Sequence, residues 1–466
     1  MEVGNDDTQG NAAPAESFGH LSKADCRIEW AAIDALKPCR SNARTHTRKQ
    51  IRQIARSIER FGFVNPVLID EHGEIIAGHG RVEAAKLLGL AEVPTLRYSH
   101  LSEVDKRAYR LADNKLAENA GWDPEILSIE LDALIKLDFD IELTGFETGE
   151  VDIVFGDADD ARREGAGPED DIPAPTPGLT ICQPGDLWQL SQHRVICADA
   201  LDNKTYELLL GGEKAAQVIA DAPYNVPVQG HVGGNGSIRH REFAMASGEM
   251  TPDAFTGFLK GVFQQLVVNT TDGSIHHVFM DWRHMTEMLT AGTGIYTELK
   301  NLCVWNKTNA GMGSFYRSQH ELIFVWKSGT APHRNNFELG QHGRHRSNVW
   351  TYPGITAIGA ERMKELSWHP TVKPVALVAD AIKDCSRRND LVLDPFLGSG
   401  TTLIACERTG RRACGIEIDP VYVDVGLRRW QQHAGKPAIL VETGQTFEEI
   451  EEERRSVPPA GMREAA

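Results

Sequence analysis

Several things are scarce in this 466-residue chain. Its eight cysteines stand at 26, 39, 182, 197, 303, 385, 406 and 414, and no two form a C-x-x-C pair. That scatter argues against a zinc site or a disulfide framework and suits a reducing cytoplasm. No apolar run approaches the ~20 residues that span a bilayer. The first residues, MEVGNDDTQGNAAPAESFGH, lack the basic start and apolar core of a secretory signal. Basic charge is short overall: the net charge is −17 at pH 7. Such a surface does not hold nucleic acid nonspecifically as a whole, but a local basic face stays open. No internal repeat is evident.

What remains is ordinary globular material, 41% hydrophobic and 25% charged, long enough for two or three domains. Residues 1–24 are polar and are expected to be disordered. In QIRQIARSIERFGF, Ile51, Ile54, Ile58 and Phe61 recur at helical spacing. PVLID, the turn EHG and EIIAG read as a hairpin, RVEAAKLLGL as a second helix and VPTL as another strand. Helical patterns continue to about 155. Residues 156–178, rich in proline, glycine and acid, read as a linker. From 179 to 435 short apolar strands (QVIAD, HHVFMD, CVWNK, LIFVWK, LVLDPF, ACGIEID) alternate with helical stretches. That alternation predicts an α/β domain whose mostly parallel sheet carries helices on both faces. Residues 436–466 form a charged tail, which after 445 reads as a helix fading into disorder.

The most informative stretch is 390–420, DLVLDPFLGSGTTLIACERTGRRACGIEIDP. A buried strand runs into GSG, and a helix follows. Gly398 and Gly400 allow positive φ and let a ligand approach the backbone, while the helix start offers unpaired N–H groups. Some twenty residues after Asp394 a second strand ends in Glu417, placed to accept hydrogen bonds from both hydroxyls of a ribose. The spacing is not G-x-G-x-x-G, which disfavours a dinucleotide. Asp394 is expected to face a charged end of the ligand. Taken alone, such a turn serves packing as readily as binding.

A second stretch, ADAPYNV (220–226), puts an acid, a proline and an aromatic ring directly after an apolar strand. This is poor packing material and a plausible clamp for something flat and polar. Together, DAPY (221–224), FLGSG (396–400), HPTVKP (369–374) and VICADAL (195–201) resemble S-adenosylmethionine-dependent amino DNA methyltransferases of the β class, over roughly 179–435. The resemblance implies a Rossmann-like methyltransferase fold. It also implies that the cofactor S-adenosylmethionine is held by Asp199, Asp394, Phe396, Gly398, Gly400, Glu417, Thr371 and Lys373. Asp221, Ala222, Pro223 and Tyr224 would be the catalytic stretch. The target base is flipped out, Tyr224 stacks on it, and the Asp221 carboxylate and the carbonyl of residue 222 accept from the exocyclic amine. Orientation and electrostatics then suffice without a covalent intermediate. Ala222 departs from the family, which usually has proline there; Pro223 still keeps residue 222 out of the α region. An acid at 221 is more typical of adenine N6 enzymes than of cytosine N4 enzymes. Carbon-5 methylation would need a nucleophilic cysteine, and the one Pro-Cys pair, Pro38-Cys39, lies outside this region.

Between 301 and 350 six cations (Lys307, Arg317, Lys327, Arg334, Arg344, Arg346) face only two acids, Glu321 and Glu338. Arg317, Arg334, Arg344 and Arg346, with Arg239 and Arg241 from the glycine-rich loop after the clamp, are the expected contacts to double-stranded DNA. Earlier in the chain, residues 26–98 resemble the ParB/sulfiredoxin-like domain, which implies a smaller α+β unit. The ParB nucleotide stretch reads GHGR here, so Gly78, Gly80 and Arg81 are the candidate phosphate contacts. The glutamate and one arginine of that stretch are absent. DNA positioning, nucleotide binding and a structural appendage therefore stay open. Sulfiredoxin chemistry is not expected, since no cysteine lies near 78–81 along the sequence.

The expected organisation is a disordered tail (1–24), a ParB-like domain (25–110), a helical extension (111–155), a linker (156–178), a methyltransferase domain (179–435) and a charged tail (436–466). The expected activity is site-specific, adenine-directed DNA methylation in the cytoplasm by an orphan enzyme or one paired with a separate restriction nuclease. The alternatives are cytosine N4 as target, or a ParB-like regulator with a degenerate methyltransferase half. No metal and no membrane association are expected. Monomer and homodimer both stay open.

Overall fold

The computed structural model describes residues 27–137, 139–160, 170, 172–173, 180–226, 248–308, 315–337, 346–354 and 372–456. The expected N-terminal tail, most of the linker, the loop carrying Arg239 and Arg241, and the positions Thr371 and Arg344 lie outside these residues. The chain divides into two units, 1–147 and 148–466.

The first unit holds β1 (Ile28–Ala32), α1 (Arg48–Phe61), β2 (Val67–Ile69), β3 (Ile75–Ala77), α2 (His79–Leu87), β4 (Glu92–Arg97), α3 (Glu103–Glu118) and α4 (Pro124–Lys136). Its sheet runs β1-β4-β2-β3, and the one parallel pair is β2 with β4. The expected hairpin is β2–β3. Asp70 ties its turn by accepting from the backbone N–H groups of His72 (2.9 Å) and Glu74 (2.8 Å). Val67, Ile69, Ile75, Val82 and Val93 form the core. The apolar stripe of α1 buries less than its spacing suggests. Only Ala55 is fully buried, and Phe61 at the exposed end stacks on Phe139 at 6.1 Å.

The second unit begins with α5 (Thr148–Asp160). There follow β5 (Leu187–Leu190), β6 (His193–Cys197), α6 (Asn203–Leu210), β7 (Ala215–Asp221), α7 (Pro252–Val268), β8 (Thr270–Met280), α8 (Met285–Gly292), β9 (Glu298–Lys307), β10 (His320–Lys327) and β11 (Val349–Tyr352). Then come α9 (Val375–Cys385), β12 (Leu391–Asp394), α10 (Thr401–Thr409), β13 (Arg412–Glu417), α11 (Pro420–Ala434), β14 (Ile439–Leu440) and α12 (Phe447–Ser456). All ten strands form one sheet, in the order β11-β9-β10-β8-β7-β12-β13-β6-β5-β14. Every apolar run singled out in the sequence is one of them. The five central strands, β8-β7-β12-β13-β6, are mutually parallel. The flanks are mixed: β10 runs antiparallel to both neighbours, and β5 does so against β6 and β14. A two-residue turn with Ser191 at φ +54° joins β5 to β6, and so short a connection admits only an antiparallel return.

Apolar cores lie on both faces of this sheet. Tyr206, Leu209, Phe255, Leu259 and Phe263 of α6 and α7 fill one, and Val378, Ile382, Leu403, Val423, Leu427 and Trp430 of α9, α10 and α11 fill the other. Two segments read as linker or tail pack against this unit. Asp170 accepts from the Val375 N–H (3.0 Å) at the start of α9, and Ile172 is buried with Val372 and Val425. Phe447 is fully buried beside Trp188, and β14 extends the sheet. Tail composition missed both because one buried aromatic or isoleucine can anchor an otherwise polar segment.

Candidate active site

Parallel strands place their C-terminal ends together. Here the ends of β7, β12, β13 and β6 carry Asp221, Asp394, Glu417 and the segment reaching Asp199, and all four acids line one cleft. The cleft encloses roughly 1210 Å³, open solvent at its mouth included. Ala222, Pro223, Tyr224, Phe396, Gly398 and Lys373 share its wall. A crevice at strand C-termini beside a reversal of strand order is where open α/β sheets bind ligands.

The glycine turn is built around its acids. Gly398 (φ +55°) and Gly400 (φ +85°) both need the left-handed region, and a Cβ on Gly400 would sit 3.2 Å from the Gly426 Cα. Asp394 accepts from the Phe396 N–H (2.9 Å) and the Thr402 hydroxyl (2.6 Å). Glu417 accepts from the Gly398 N–H (2.8 Å) and the Asp419 N–H (2.9 Å). Each Glu417 oxygen therefore keeps a lone pair for a further donor. Burial pushes both carboxyls up to about 7. Buried acids in this state suit a ligand that brings hydroxyl donors and positive charge. Asp199 is half-buried and accepts from the Leu201 N–H at 2.9 Å.

The clamp stretch meets three residues that local sequence gave no reason to single out for it. The Tyr224 hydroxyl lies 3.0 Å from Asp221 Oδ1 and 2.8 Å from Glu321 Oε2, so one O–H proton sits between two carboxylates. Lys373 Nζ bridges the same acids, donating to Asp221 Oδ2 (2.7 Å) and lying 3.2 Å from Glu321 Oε2. Lys307 pairs with the other oxygen of Glu321. Burial raises the Asp221 carboxyl, and Lys373 opposes this. Burial would also raise Glu321, but Lys373 and Lys307 outweigh it and hold that acid down to about 2. Burial alone would favour a neutral Lys373 amine, yet the two acids keep it above the ordinary lysine value. Lys373, expected at the cofactor, thus sits against Asp221. Asn225 takes φ +50°, and its side chain accepts from Gly248 N and Met250 N while donating to Met250 O. It ties down the return of the loop that leaves the clamp.

The expected DNA arginines separate. Arg317 is exposed beside Phe315 and Tyr316, which are 87% and 82% exposed and pack edge-on at 4.7 Å. Arg334 is half-buried. Arg346 does not present a solvent-facing cation: it pairs with Asp384 (3.1 Å) and Asp380 (3.4 Å), donates to the Tyr352 hydroxyl and lies over the Trp350 ring. Such partners make it a structural arginine. In the first unit, Gly78 (φ +102°) caps α2 under the Arg81 guanidinium, which donates to the Asn65 carbonyl at 3.0 Å. Gly80 lies against the His46 ring.

Three family models match the chain. A DNA methylase family model (N6_N4_Mtase) covers residues 216–428, a ParB N-terminal domain model 20–115, and a ParB-methyltransferase HTH domain model 125–184. The chain is 48% identical over 81 residues to the ParB-like nuclease domain-containing protein YnaK of Escherichia coli, covering 17% of this chain and 93% of that protein. It is 40% identical over 93 residues to the type II methyltransferase M.ScaI of Streptomyces caespitosus, covering 20% of this chain and 30% of that one. It is 34% identical over 149 residues to the type II methyltransferase M.HinfI of Haemophilus influenzae, covering 29% and 40% respectively. The matches therefore span less than half of either methyltransferase. No helix among the described residues is long and apolar enough to cross a membrane. With its acids gathered at one sheet end, its glycine turn and these matches, the chain carries an N6/N4 DNA methylase domain over residues 216–428, with a ParB N-terminal domain ahead of it.

Proposed function

We propose that the second unit methylates the exocyclic amine of a flipped base in double-stranded DNA, adenine N6 in particular, with S-adenosylmethionine as donor. The observation that carries this is the shared cleft, where Asp221 and Tyr224 stand next to Asp394, Gly398 and Glu417. The residues suit the donor. Glu417 has acceptor capacity for two ribose hydroxyls, Asp394 is a buried acid for its cationic end, and the left-handed turn at Gly398 and Gly400 brings backbone close to it. When bound, that group supplies an electrophilic methyl.

The chain's own residues do the rest. Tyr224 offers a ring face on which a base stacks. Asp221 accepts from the amine, which favours a tetrahedral nitrogen with an available lone pair. Ala222 is 2% exposed, so the position is packed in place without the ring of the usual proline. Asp at 221 supports adenine over cytosine by resemblance alone. The exposed Phe315–Tyr316–Arg317 group supports a DNA face on this unit: Arg317 for phosphate, the rings for exposed bases. The ParB-like unit would position DNA or dock a partner, a separate restriction nuclease among them.

The deciding experiment transfers labelled methyl from S-adenosylmethionine to unmethylated genomic DNA and analyses the nucleosides. Label in N6-methyladenosine supports the reading. Label in N4-methylcytosine changes the base. Absence of label in any nucleoside overturns it.

A further inference from the structure

We propose that Glu321 is a positioning residue for methyl transfer: it holds the Tyr224 hydroxyl and the Lys373 ammonium against Asp221 and so sets the charge of the carboxylate that meets the amine. This rests on the base-clamp reading of residues 221–224. The geometry comes from the antiparallel reversal at the β8 edge of the parallel core. Because β10 runs against β8, its first residues lie at the same sheet end as Asp221. Glu321 is thereby brought to a site almost one hundred positions away, although it sits directly before the apolar run Leu322–Trp326 of its strand. Glu321 is 8% exposed, and its partners account for it fully: Tyr224 at 2.8 Å, Lys373 at 3.2 Å, and Lys307 on the neighbouring β9. A buried acid gripped by two lysines and a tyrosine is costly to assemble for packing alone.

The chemistry gives it work. Methylating an amine forms an N–C bond and breaks the S–C bond of the donor, and the nitrogen then sheds one proton. Asp221 is the acceptor the clamp provides, so it must be ionised when the amine binds. The charged groups facing Asp221 are Lys373 from the segment before α9, Glu321 from β10, Tyr224 from its own loop and Asp394 from β12, with Lys307 of β9 acting through Glu321. Glu321 anchors Lys373 and Tyr224 where both also reach Asp221, and its own charge opposes ionisation there. Lys307 moderates that charge.

Two substitutions have opposite consequences. Glu321→Gln keeps the size and removes the negative charge. Asp221 should then ionise more easily, and the acid limb of the single-turnover methylation rate should move to lower pH by about half a unit or more. The maximal rate should fall about tenfold because Tyr224 and Lys373 lose their second anchor. Lys307→Met leaves Glu321 charged and less neutralised, so the acid limb should move to higher pH. S-adenosylmethionine affinity, measured by calorimetry, should stay within about twofold in both variants, which also reports that they fold. Opposite limb shifts support the proposal. Limbs that stay in place, or move in the same direction, overturn it while leaving the clamp reading intact. A parent protein that methylates no DNA overturns the clamp reading and this proposal with it.

Discussion

Asp221→Ala tests the clamp most directly. The carboxylate is held by Tyr224 at 3.0 Å and Lys373 at 2.7 Å, so its removal alters two neighbours. Neither is stranded. Lys373 keeps Glu321 at 3.2 Å, and the Tyr224 hydroxyl keeps Glu321 at 2.8 Å. The fold cost should therefore stay within about 1–3 kcal/mol, the range for one lost polar partner in a buried setting. The catalytic cost should be larger. Removing one preorganised electrostatic group typically lowers kcat by about two to three orders of magnitude, or some 2.7–4 kcal/mol. Donor affinity should change little, because the acids expected to hold it, Asp394 and Glu417, keep their own backbone and hydroxyl partners. The assay is single-turnover transfer of labelled methyl to duplex DNA, beside calorimetry with S-adenosylmethionine. An Asp221→Ala protein that methylates at the parent rate refutes the reasoning. A parallel loss of donor binding refutes the separation of the two halves of the cleft.

Donor binding should depend on pH with a definite sign. Asp394 and Glu417 are raised by burial to about 7 in the unliganded protein, and a ligand that donates hydroxyls and carries positive charge favours their ionised forms. Affinity should thus rise from about pH 6 to 8 with proton release, seen by calorimetry in buffers of different ionisation enthalpy. The same raised values mean that the unliganded fold binds more protons than the unfolded chain between the ordinary carboxylate range and about 7, so the acids' contribution to stability falls as pH rises through that window. Gly398→Val, at φ +55°, should abolish S-adenosylmethionine binding in the same calorimetry, because a β-branched side chain both strains the turn and fills the approach. Asp152→Ala should destabilise the second unit by about 3–5 kcal/mol in denaturant melts, since it removes the bidentate partner (2.8 and 2.7 Å) of a fully buried Arg411. Arg317→Ala should lower the salt slope of DNA binding by about one unit, whereas Arg346→Ala should act on folding more than on that slope.

The strands and the two chemical turns were legible from sequence because each is local. An apolar run of strand length, an acid at its end and glycines where φ turns positive are written in consecutive residues, and 221–224, 394–400 and 417 meet as their order along the chain suggests. Parallel strands then bring such ends together with little further information. The rest was decided by contacts between distant residues. Glu321 and Lys373 come to Asp221, and Lys307 to Glu321, only through the antiparallel register of β9 and β10 and the placement of the segment before α9, which no periodicity encodes. Arg346 counts as a basic residue in composition, yet Asp380, Asp384, Tyr352 and Trp350 turn it inward. Charge is a property of the side chain and can be read from the sequence. Whether that charge faces solvent, a substrate or a buried partner depends on desolvation and pairing, and those exist only once the tertiary structure has formed.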